Sequence, residues 1–405
     1  MERFALSRMK EWKENENRKP LIIRGARQVG KTWIMKTFGQ QYFEKTAYVN
    51  FDNNARMKQV FEGDLDIERL VLSISAETGV SIEAENTLII FDEVQEVPKA
   101  LTSLKYFYEN APQYAIVAAG SLLGVALHQG TSFPVGKVDF LDLYPLNFRE
   151  FLCAMGEKQF VSMLDSCDTQ MVTVFKTKYI ERLREYYFVG GMPEVVKDFS
   201  EKKDYNRVRA IQKNLINYYQ QDFSKHAEIK LVPRLNLVWN SIPMQLAKEN
   251  KKYIYGQVRE GSRAKDFELA IQWLLDCGLI HKVQRIQKPD LPLKAYIDFD
   301  AFKLFLVDIG LLIAMTDLDA KVIIEGNKIF TEFKGALTEQ YILQQLISDV
   351  GVIPYYYSTQ NSKGEIDFLV QGKTSVIPIE VKAEENLKAK SLKLSLIHIS
   401  EPTRP

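Results

Sequence analysis

Cysteine and histidine are scarce in this chain of 405 residues, which has three cysteines and four histidines. Cys153, Cys167 and Cys277 lie far apart and are odd in number, as is typical of reduced thiols and not of a disulfide framework. The histidines are equally scattered. Neither residue type therefore indicates a zinc site, and the cysteines favour the cytoplasm as the compartment.

A strong excess of charge and a long apolar run are also missing. The formal net charge is +1, which excludes a generally basic nucleic-acid-binding surface and leaves only a local patch for that role. No uncharged apolar run approaches the roughly 18 residues that span a bilayer, and residues 1–17 lack the apolar core of a signal peptide. We therefore expect a cytoplasmic protein without a membrane partner. Its hydrophobic content of 46% is enough for the cores of about two or three domains.

The strongest chemical signal is an apolar run at residues 21–23 that leads into a glycine-bounded loop and then a helical pattern. Gly25 and Gly30 allow backbone torsions that turn successive N–H groups inward around an anion. Lys31 then reaches the β- and γ-phosphates of ATP, and Thr32 offers its hydroxyl to Mg²⁺. A glycine turn with a solvated lysine is the alternative. The predicted phosphate-binding set is Gly25, Ala26, Arg27, Gln28, Val29, Gly30, Lys31, Thr32 and Trp33.

Further strands are predicted at residues 47–51, 86–93, 114–121 and 138–144. Helical patterns separate them, which predicts an α/β domain with a doubly wound parallel sheet. Asp92 ends a bulky apolar strand at the carboxyl edge of that sheet, where it suits Mg²⁺ coordination, and Glu93 suits polarisation of an attacking water. A solvated Asp–Glu pair is the alternative. Ser121 ends the next strand, where it senses the γ-phosphate, holds the water or caps a helix.

Four segments of the chain resemble the prokaryotic predicted ATPases of the AAA superfamily, whose members carry a restriction-endonuclease-like C-terminal domain of unknown function. These segments are residues 24–32, 91–95, 119–123 and 143–152. The resemblance extends over nearly the whole chain. It implies Walker A, Walker B and sensor roles for, respectively, Lys31 and Thr32, Asp92 and Glu93, and Ser121.

The resemblance also implies a glycine–arginine pair before the fifth strand. This chain has Gly136 and Lys137 there, and lysine lacks the planar fork that arginine offers to a phosphate. No arginine finger is therefore assigned, and Arg149 is the candidate that remains.

The middle of the chain reads as helical, with a break at residues 190–193 where two glycines precede Met-Pro. We interpret this break as a structural hinge. Helices followed by a strand at residues 279–283 fit a winged helix-turn-helix module, used either for DNA binding or for domain packing. A local excess of four positive charges supports the first use: Lys248, Lys251, Lys252, Arg259, Arg263 and Lys265 against Glu249 and Glu260.

The C-terminal part holds a second constellation. Residues 333–347 should be helical and carry Glu339, and residues 364–370 and 376–382 should be strands. Asp367, Glu380 and Lys382 resemble the nuclease arrangement of Asp followed by Glu-x-Lys, in which the two carboxylates hold Mg²⁺ and the ammonium steadies a water or the scissile phosphate. Glu339 would complete this second metal site. Alternating charge on an edge strand is the other explanation of the spacing.

Four segments are therefore predicted along the chain. An AAA-type P-loop ATPase domain occupies residues 1–155, a helical and winged-helix-like region residues 156–285, and a restriction-endonuclease-like α+β domain residues 286–393. Residues 394–405 resemble the translation of a sequencing-library adapter, with a natural strand and proline turn as the alternative. If they are an adapter, the natural chain continues further and the last domain lacks a final piece.

The leading functional hypothesis is an ATP-binding and ATP-hydrolysing switch that uses Mg²⁺ and repositions its C-terminal modules against a DNA or protein partner. Two alternatives are a metal-dependent nuclease gated by the ATPase and an ATP-regulated DNA-binding regulator. Assembly into a homo-oligomer is left open.

Overall fold

A computed structural model describes residues 1–120, 133–248, 251–325, 331–359 and 364–382. The chain divides into two compact units. The first comprises Met1–Tyr144 together with Asp276–Gly278, and the second comprises Pro145–Leu275 with the described residues from Leu279 onward. No helix among the described residues is long and apolar enough to cross a bilayer.

The first unit is built on one parallel sheet. Its strands are β1 (Leu21–Arg24), β2 (Lys45–Asn50), β3 (Thr87–Asp92), β4 (Ala115–Ala119) and β5 (Asp139–Asp142). They lie in the order β2-β3-β4-β1-β5, and every neighbouring pair is parallel. Its helices are α1 (Ala5–Glu14), α2 (Lys31–Tyr42), α3 (Ala55–Glu62), α4 (Ile67–Thr78) and α5 (Pro98–Asn110). The predicted α/β class with a parallel five-stranded sheet is confirmed.

The core of this unit surrounds β3, whose six residues are all buried, as expected of a parallel sheet that helices cover on both faces. Phe91 of this strand packs edge-to-face against Phe51 and Phe61, with ring centroids 5.4 and 5.7 Å apart. Since all strands run the same way, the carboxyl ends of β1 and β3 lie at one edge of the sheet. Ligands of such sheets bind at that edge.

The second unit follows along the chain and is mostly helical before its sheet. The helices are α6 (Phe148–Ala154), α7 (Lys158–Asp165), α8 (Thr169–Val174), α9 (Lys176–Val189), α10 (Pro193–Lys202), α11 (Tyr205–His226), α12 (Val232–Leu246), α13 (Tyr255–Val258), α14 (Ala264–Asp276), α15 (Ile309–Met315), α16 (Ala320–Ile324) and α17 (Thr331–Gln345). The strands are β6 (Ile280–Ile286), β7 (Ile297–Leu306), β8 (Tyr355–Ser358), β9 (Glu365–Gln371) and β10 (Val376–Ile379). They form a mixed sheet in the order β10-β9-β8-β6-β7, in which only the β6–β8 pair is parallel.

Two sequence expectations for this unit need revision. Strand β6 pairs with β7 as a hairpin and also with β8, so it is part of a five-stranded sheet that extends beyond any wing. The predicted boundary between residues 285 and 286 consequently falls inside β6. The winged-helix interpretation and the finer division into domains stay predictions.

The last strand is shorter than expected. Strand β10 ends at Ile379, so Glu380 and Lys382 follow the strand and do not lie within it.

The break at Gly190 and Gly191 is a packed junction within this unit, where the sequence suggested a hinge. Gly191 donates its N–H to Asp308 Oδ2 at 2.6 Å, and its carbonyl oxygen accepts from the N–H of Leu146 at 2.7 Å. A Cβ on Gly191 would lie 2.1 Å from the carbonyl oxygen of Leu146, and one on Gly190 would lie 2.2 Å from Asp308 Oδ1. Glycine is therefore needed because three chain segments meet closely here.

Candidate nucleotide-binding site and acidic cluster

The loop between β1 and α2 has the backbone of a phosphate-binding turn. Gly25 and Gly30 have positive φ values of 147° and 94°, and Gln28 between them is also left-handed at 66°. A Cβ on Gly25 would lie only 2.1 Å from the carbonyl oxygen of Leu143, the residue that follows β5. Helix α2 begins at Lys31, so the positive end of its dipole lies at the loop.

Lys31 is folded back into this loop. Its side chain is nearly buried, and its Nζ donates to the carbonyl oxygens of Gly25 and Ala26 at 2.9 and 2.8 Å. Burial lowers the pKa of Lys31 to about 8, although the charges of Glu93 and Asp92 act in the opposite direction. The ammonium is thus held among acceptors that the oxygens of a phosphate would replace.

Asp92 ends β3 and is the acceptor at the centre of the site. Its Oδ2 accepts from the hydroxyl of Thr32 at 2.6 Å and from the hydroxyl of Tyr48 at 2.9 Å. Burial raises the pKa of Tyr48 above its ordinary value, and the charge of Asp92 adds to that rise, so the hydroxyl keeps its proton. Tyr48 was not predicted as a site residue from the sequence. Its position on β2, directly beside Ile90 of β3, follows only from the strand register.

Glu93 follows Asp92 in a left-handed conformation, with φ 51° and ψ 43°. This backbone conformation is uncommon for a residue with a Cβ. The N–H of Glu93 donates to Asp92 Oδ1 at 3.1 Å, and its Oε2 accepts from Gln95 Nε2 at 2.7 Å. The second contact orients the carboxylate next to the phosphate loop.

The loop is also supported by a residue just before α1 that was not predicted from the sequence. Arg3 is 5% exposed, and its guanidinium donates to the carbonyl oxygen of Val29 at 3.0 Å and to that of Tyr144 at 2.6 Å. It therefore ties the phosphate loop to the segment after β5. A lone arginine in the charged N-terminal stretch carries no signal of such a contact.

The other predicted residues have varied surroundings. Ala26 and Val29 are buried, Arg27 is half-buried, Gln28 is exposed and Trp33 is 41% exposed. Ser121 lies outside the described residues. Lys137 forms an ion pair with Glu109 at 3.0 Å. Arg149 pairs with Asp349 at 3.0 Å and also with Asp165, so carboxylates of its own unit hold the guanidinium considered for an arginine finger.

The donor set at the edge of the first sheet fits Mg²⁺. The hydroxyl of Thr32 and the carboxylate of Asp92 are hard oxygen ligands that lie together, and Thr32 is exposed toward solvent. Such an ion completes its octahedral shell with water and phosphate oxygens.

The second constellation assembles in the second unit as a group that we call the acidic cluster: Glu339, Glu365, Asp367 and Glu380. Glu339 lies on α17, and Glu365 and Asp367 on β9. The N–H of Val381 donates to Asp367 Oδ2 at 2.7 Å, which brings the end of β10 to β9. Burial raises the pKa of Asp367 to about 7, and the charge of Glu339 adds to the rise.

Lysines accompany these carboxylates. Lys303 of β7 and Lys251 both form ion pairs with Glu339, and Lys382 pairs with Glu380 at 2.5 Å. Burial alone would raise the pKa of Glu339, but the charges of Lys303 and Lys251 outweigh it and the pKa is lowered. Among the described residues, no group of three or more His, Cys, Asp or Glu side chains is arranged to hold a metal ion.

These contacts correct the prediction of a positively charged patch that binds DNA. Lys251 was counted in it, yet its side chain is only 14% exposed and is paired with Glu339. Arg259, Arg263 and Lys265 are exposed, as predicted for surface cations. Lys303 was not predicted as part of this cluster; it is a single lysine within the otherwise apolar run of residues 301–307.

A family match supports the expectation for the first unit. Residues 17–152 match the family described as an AAA domain. The first unit is therefore similar to AAA domains. The match supports ATP binding and hydrolysis by this domain, as the resemblance implied. Residues 180–322 and 334–401 match two families described as domains of unknown function, DUF8612 and DUF4143. The second match runs past residue 393 into the adapter-like segment, which lies outside the described residues.

The chain is also similar to solved structures at low identity. The Walker-type ATPase paby2304 of Pyrococcus abyssi is 15% identical, with 78% of this chain and 95% of that chain covered and a TM-score of 0.48. The Aeropyrum pernix Orc1 protein, solved in complex with DNA, is 13% identical over 77% and 91% of the two chains, with a TM-score of 0.28. The Thermotoga maritima RuvB Holliday junction branch migration motor is 11% identical over 68% and 87%, with a TM-score of 0.29. No curated protein sequence matches the chain.

Proposed function

We propose that the protein is a Mg²⁺-dependent ATPase whose nucleotide state acts as a switch for the second unit. The observation that carries this proposal is the contact of 2.6 Å between Thr32 and Asp92, at the end of a loop whose lysine is already turned inward. It joins the two oxygen ligands of a nucleotide-bound Mg²⁺ beside the phosphate loop.

Each side chain then has a defined task. The N–H groups of the loop and the end of α2 bind the phosphates, and Lys31 contributes its ammonium to the β- and γ-phosphate oxygens. Thr32 and Asp92 hold Mg²⁺, which neutralises charge on the phosphates when bound. Glu93, oriented by Gln95, polarises the attacking water.

The loop supplies a physical basis for the switch. The ammonium of Lys31 has three donors, and the Gly25 and Ala26 carbonyls take two of them. It therefore cannot donate to both a β- and a γ-phosphate oxygen without giving up one of these carbonyl bonds. Binding of ATP must therefore change the contacts of the loop. Release of phosphate after hydrolysis would restore them.

The test compares Lys31→Ala with Glu93→Gln in equilibrium binding of a fluorescent ATP analogue and in steady-state ATPase assays. Lys31→Ala should weaken binding about 10-fold or more, because charge-assisted hydrogen bonds to phosphate are lost. Glu93→Gln should bind within about twofold of wild type and hydrolyse about 100-fold more slowly. Chelation of Mg²⁺ should abolish hydrolysis in all three proteins. Equal ATPase rates in the wild type and both variants would end the assignment.

We further propose that the second unit has a restriction-endonuclease-like fold and that a nucleic acid is its cytoplasmic partner. The order of helix α17 with Glu339, strand β9 with Asp367 and strand β10 followed by Glu380 supports the fold. Exposed Arg259 and Arg263 support the partner. Duplex binding should weaken with salt, and neutralising both arginines should lower the slope of log K against log salt by about 2. Binding that ignores salt would exclude phosphate contacts and point to a protein partner.

A further inference from the structure

The acidic cluster already has a cation at its centre, and that cation is a lysine. The side chain of Lys303 is 1% exposed, and its Nζ lies 2.6 Å from Glu365 Oε1 and 3.4 Å from Glu339 Oε2. The same ammonium lies 4.8 Å from the centroid of the Tyr356 ring, within the range of a cation–π contact. Two carboxylates and an aromatic ring therefore enclose it.

Two further ammoniums pair with carboxylates of the cluster. Glu339 has its second oxygen, Oε1, paired with Lys251, so ammoniums occupy both of its oxygens. Lys382 pairs with Oε1 of Glu380, whose side chain is 9% exposed. Four carboxylates thus face three ammoniums, and the negative charge that would attract a divalent ion is mostly neutralised.

This arrangement does not fit the metal ion that the nuclease resemblance implies. Mg²⁺ needs several oxygen ligands at about 2.0–2.1 Å around one point, and a fixed ammonium among those oxygens repels it. The side chain of Lys303 is buried, and the strand that carries it is paired with β6 at Val283, so its backbone is fixed at this position. Moving it would leave a buried charge without its partners.

We infer that Lys303 is the built-in counter-ion of the acidic cluster and stands where a nuclease of this fold would hold a divalent metal ion. The second unit therefore keeps the nuclease-like framework as a binding module and does not cleave nucleic acid by metal-assisted hydrolysis. The comparison with nucleases rests on the restriction-endonuclease-like fold proposed for this unit. The ion pairs of Lys303 do not depend on that fold. The inference is also independent of ATP hydrolysis by the first unit.

Terbium luminescence tests this inference, since Tb³⁺ binds hard oxygen ligands and a nearby tyrosine such as Tyr356 sensitises its emission. The full chain, carrying Asp92→Asn and Glu93→Gln to remove the other acidic pair, is titrated with Tb³⁺ without nucleotide. We expect no saturable emission in the micromolar range. Lys303→Met in the same background should gain a saturable site, with Tb³⁺ affinity raised at least about 100-fold.

The matched control is Lys282→Met, because Lys282 lies on the neighbouring strand β6 with its ammonium over the Phe302 ring. This control should gain no site. Saturable emission from the chain that keeps Lys303, lost on Asp367→Asn, would overturn the inference. So would a Lys303→Met chain that is folded by circular dichroism and gains no site. If Lys303→Met does not fold, Lys303→Gln replaces it, and the first titration decides in either case.

Discussion

Replacing Asp308 with asparagine tests the packing of the second unit, because it should change how the stability of this unit depends on pH. Asp308 is the N-cap of α15 and is fully buried. It accepts hydrogen bonds from the N–H of Gly191 at 2.6 Å and of Leu311 at 3.1 Å. Gln344 Nε2 donates to it at 3.2 Å. Burial raises its pKa to about 6, although these donors pull the pKa down. The folded state therefore carries a carboxylate at neutral pH that its surroundings disfavour.

The size of the effect follows from linkage. The pKa rises from 3.8 to about 6 on folding, so the stability from this group is complete below pH 3.8 and is lost as the pH rises through 6. At pH well above 6 the loss reaches about 3 kcal/mol in the free energy of unfolding. Between about pH 5 and about pH 7.5 the loss is about 1.4 kcal/mol.

Asp308→Asn has nearly the same shape and no charge at either pH. Urea unfolding is followed by fluorescence in a Trp12→Phe, Trp33→Phe background, which leaves Trp239 and Trp273 of the second unit as reporters. In the variant, the side-chain amide N–H of the asparagine can face a backbone N–H, which costs stability by the same amount at every pH. This cost cancels when the change in unfolding free energy between two pH values is compared for the two proteins. Other titrating groups cancel for the same reason.

When the pH is raised from about 5 to about 7.5, we expect the free energy of unfolding of the protein with Asp308 to fall by about 1.4 kcal/mol relative to that of Asp308→Asn. A difference in unfolding free energy that is the same at both pH values would refute the reasoning. It would mean that the donors from Gly191, Leu311 and Gln344 compensate the buried charge completely.

Two further substitutions test the site and the packed junction. Tyr48→Phe removes a hydroxyl that donates to Asp92, and should lower kcat roughly 10-fold with ATP affinity within about twofold; unchanged kcat across a Mg²⁺ titration would rule out a positioning role. Gly191→Ala places a Cβ 2.1 Å from the carbonyl oxygen of Leu146, and should cost about 3 kcal/mol or more in urea unfolding. Gly256→Ala, with nothing within 4 Å of the added Cβ, should change stability by less than about 1 kcal/mol. Equal effects of the two alanines would contradict the close packing of the junction.

Much of the nucleotide site was predictable because its parts are local in sequence. The strand, the loop and the helix start occupy one continuous stretch, residues 21–32, and two glycines bound the loop. Asp92 and Glu93 follow an apolar run long enough to be a buried strand, so their place at the carboxyl edge of the sheet also followed from the pattern. Ser121 lies outside the described residues, and its role stays a prediction.

Other features depend on contacts between distant segments. The hinge expected at Gly190 and Gly191 proved to be a junction, because the carboxylate of Asp308, 117 residues beyond Gly191, accepts a hydrogen bond from the N–H of Gly191. Lys251 was counted in the positive patch predicted for DNA, but α17 brings Glu339 against it. Single residues of ordinary type carry no signal of such partners.

Periodicity and glycine spacing report which residues are buried and where the backbone must turn, since these depend on neighbours a few positions away. They established the parallel sheet and the phosphate loop from the amino-acid order. The partners of Tyr48, Lys303 and Asp308 were settled by strand order and helix packing, which bring together residues 36 to 117 positions apart. The charge of a buried group is determined by those partners, so folding alone fixed whether the acidic cluster receives a metal ion or a lysine.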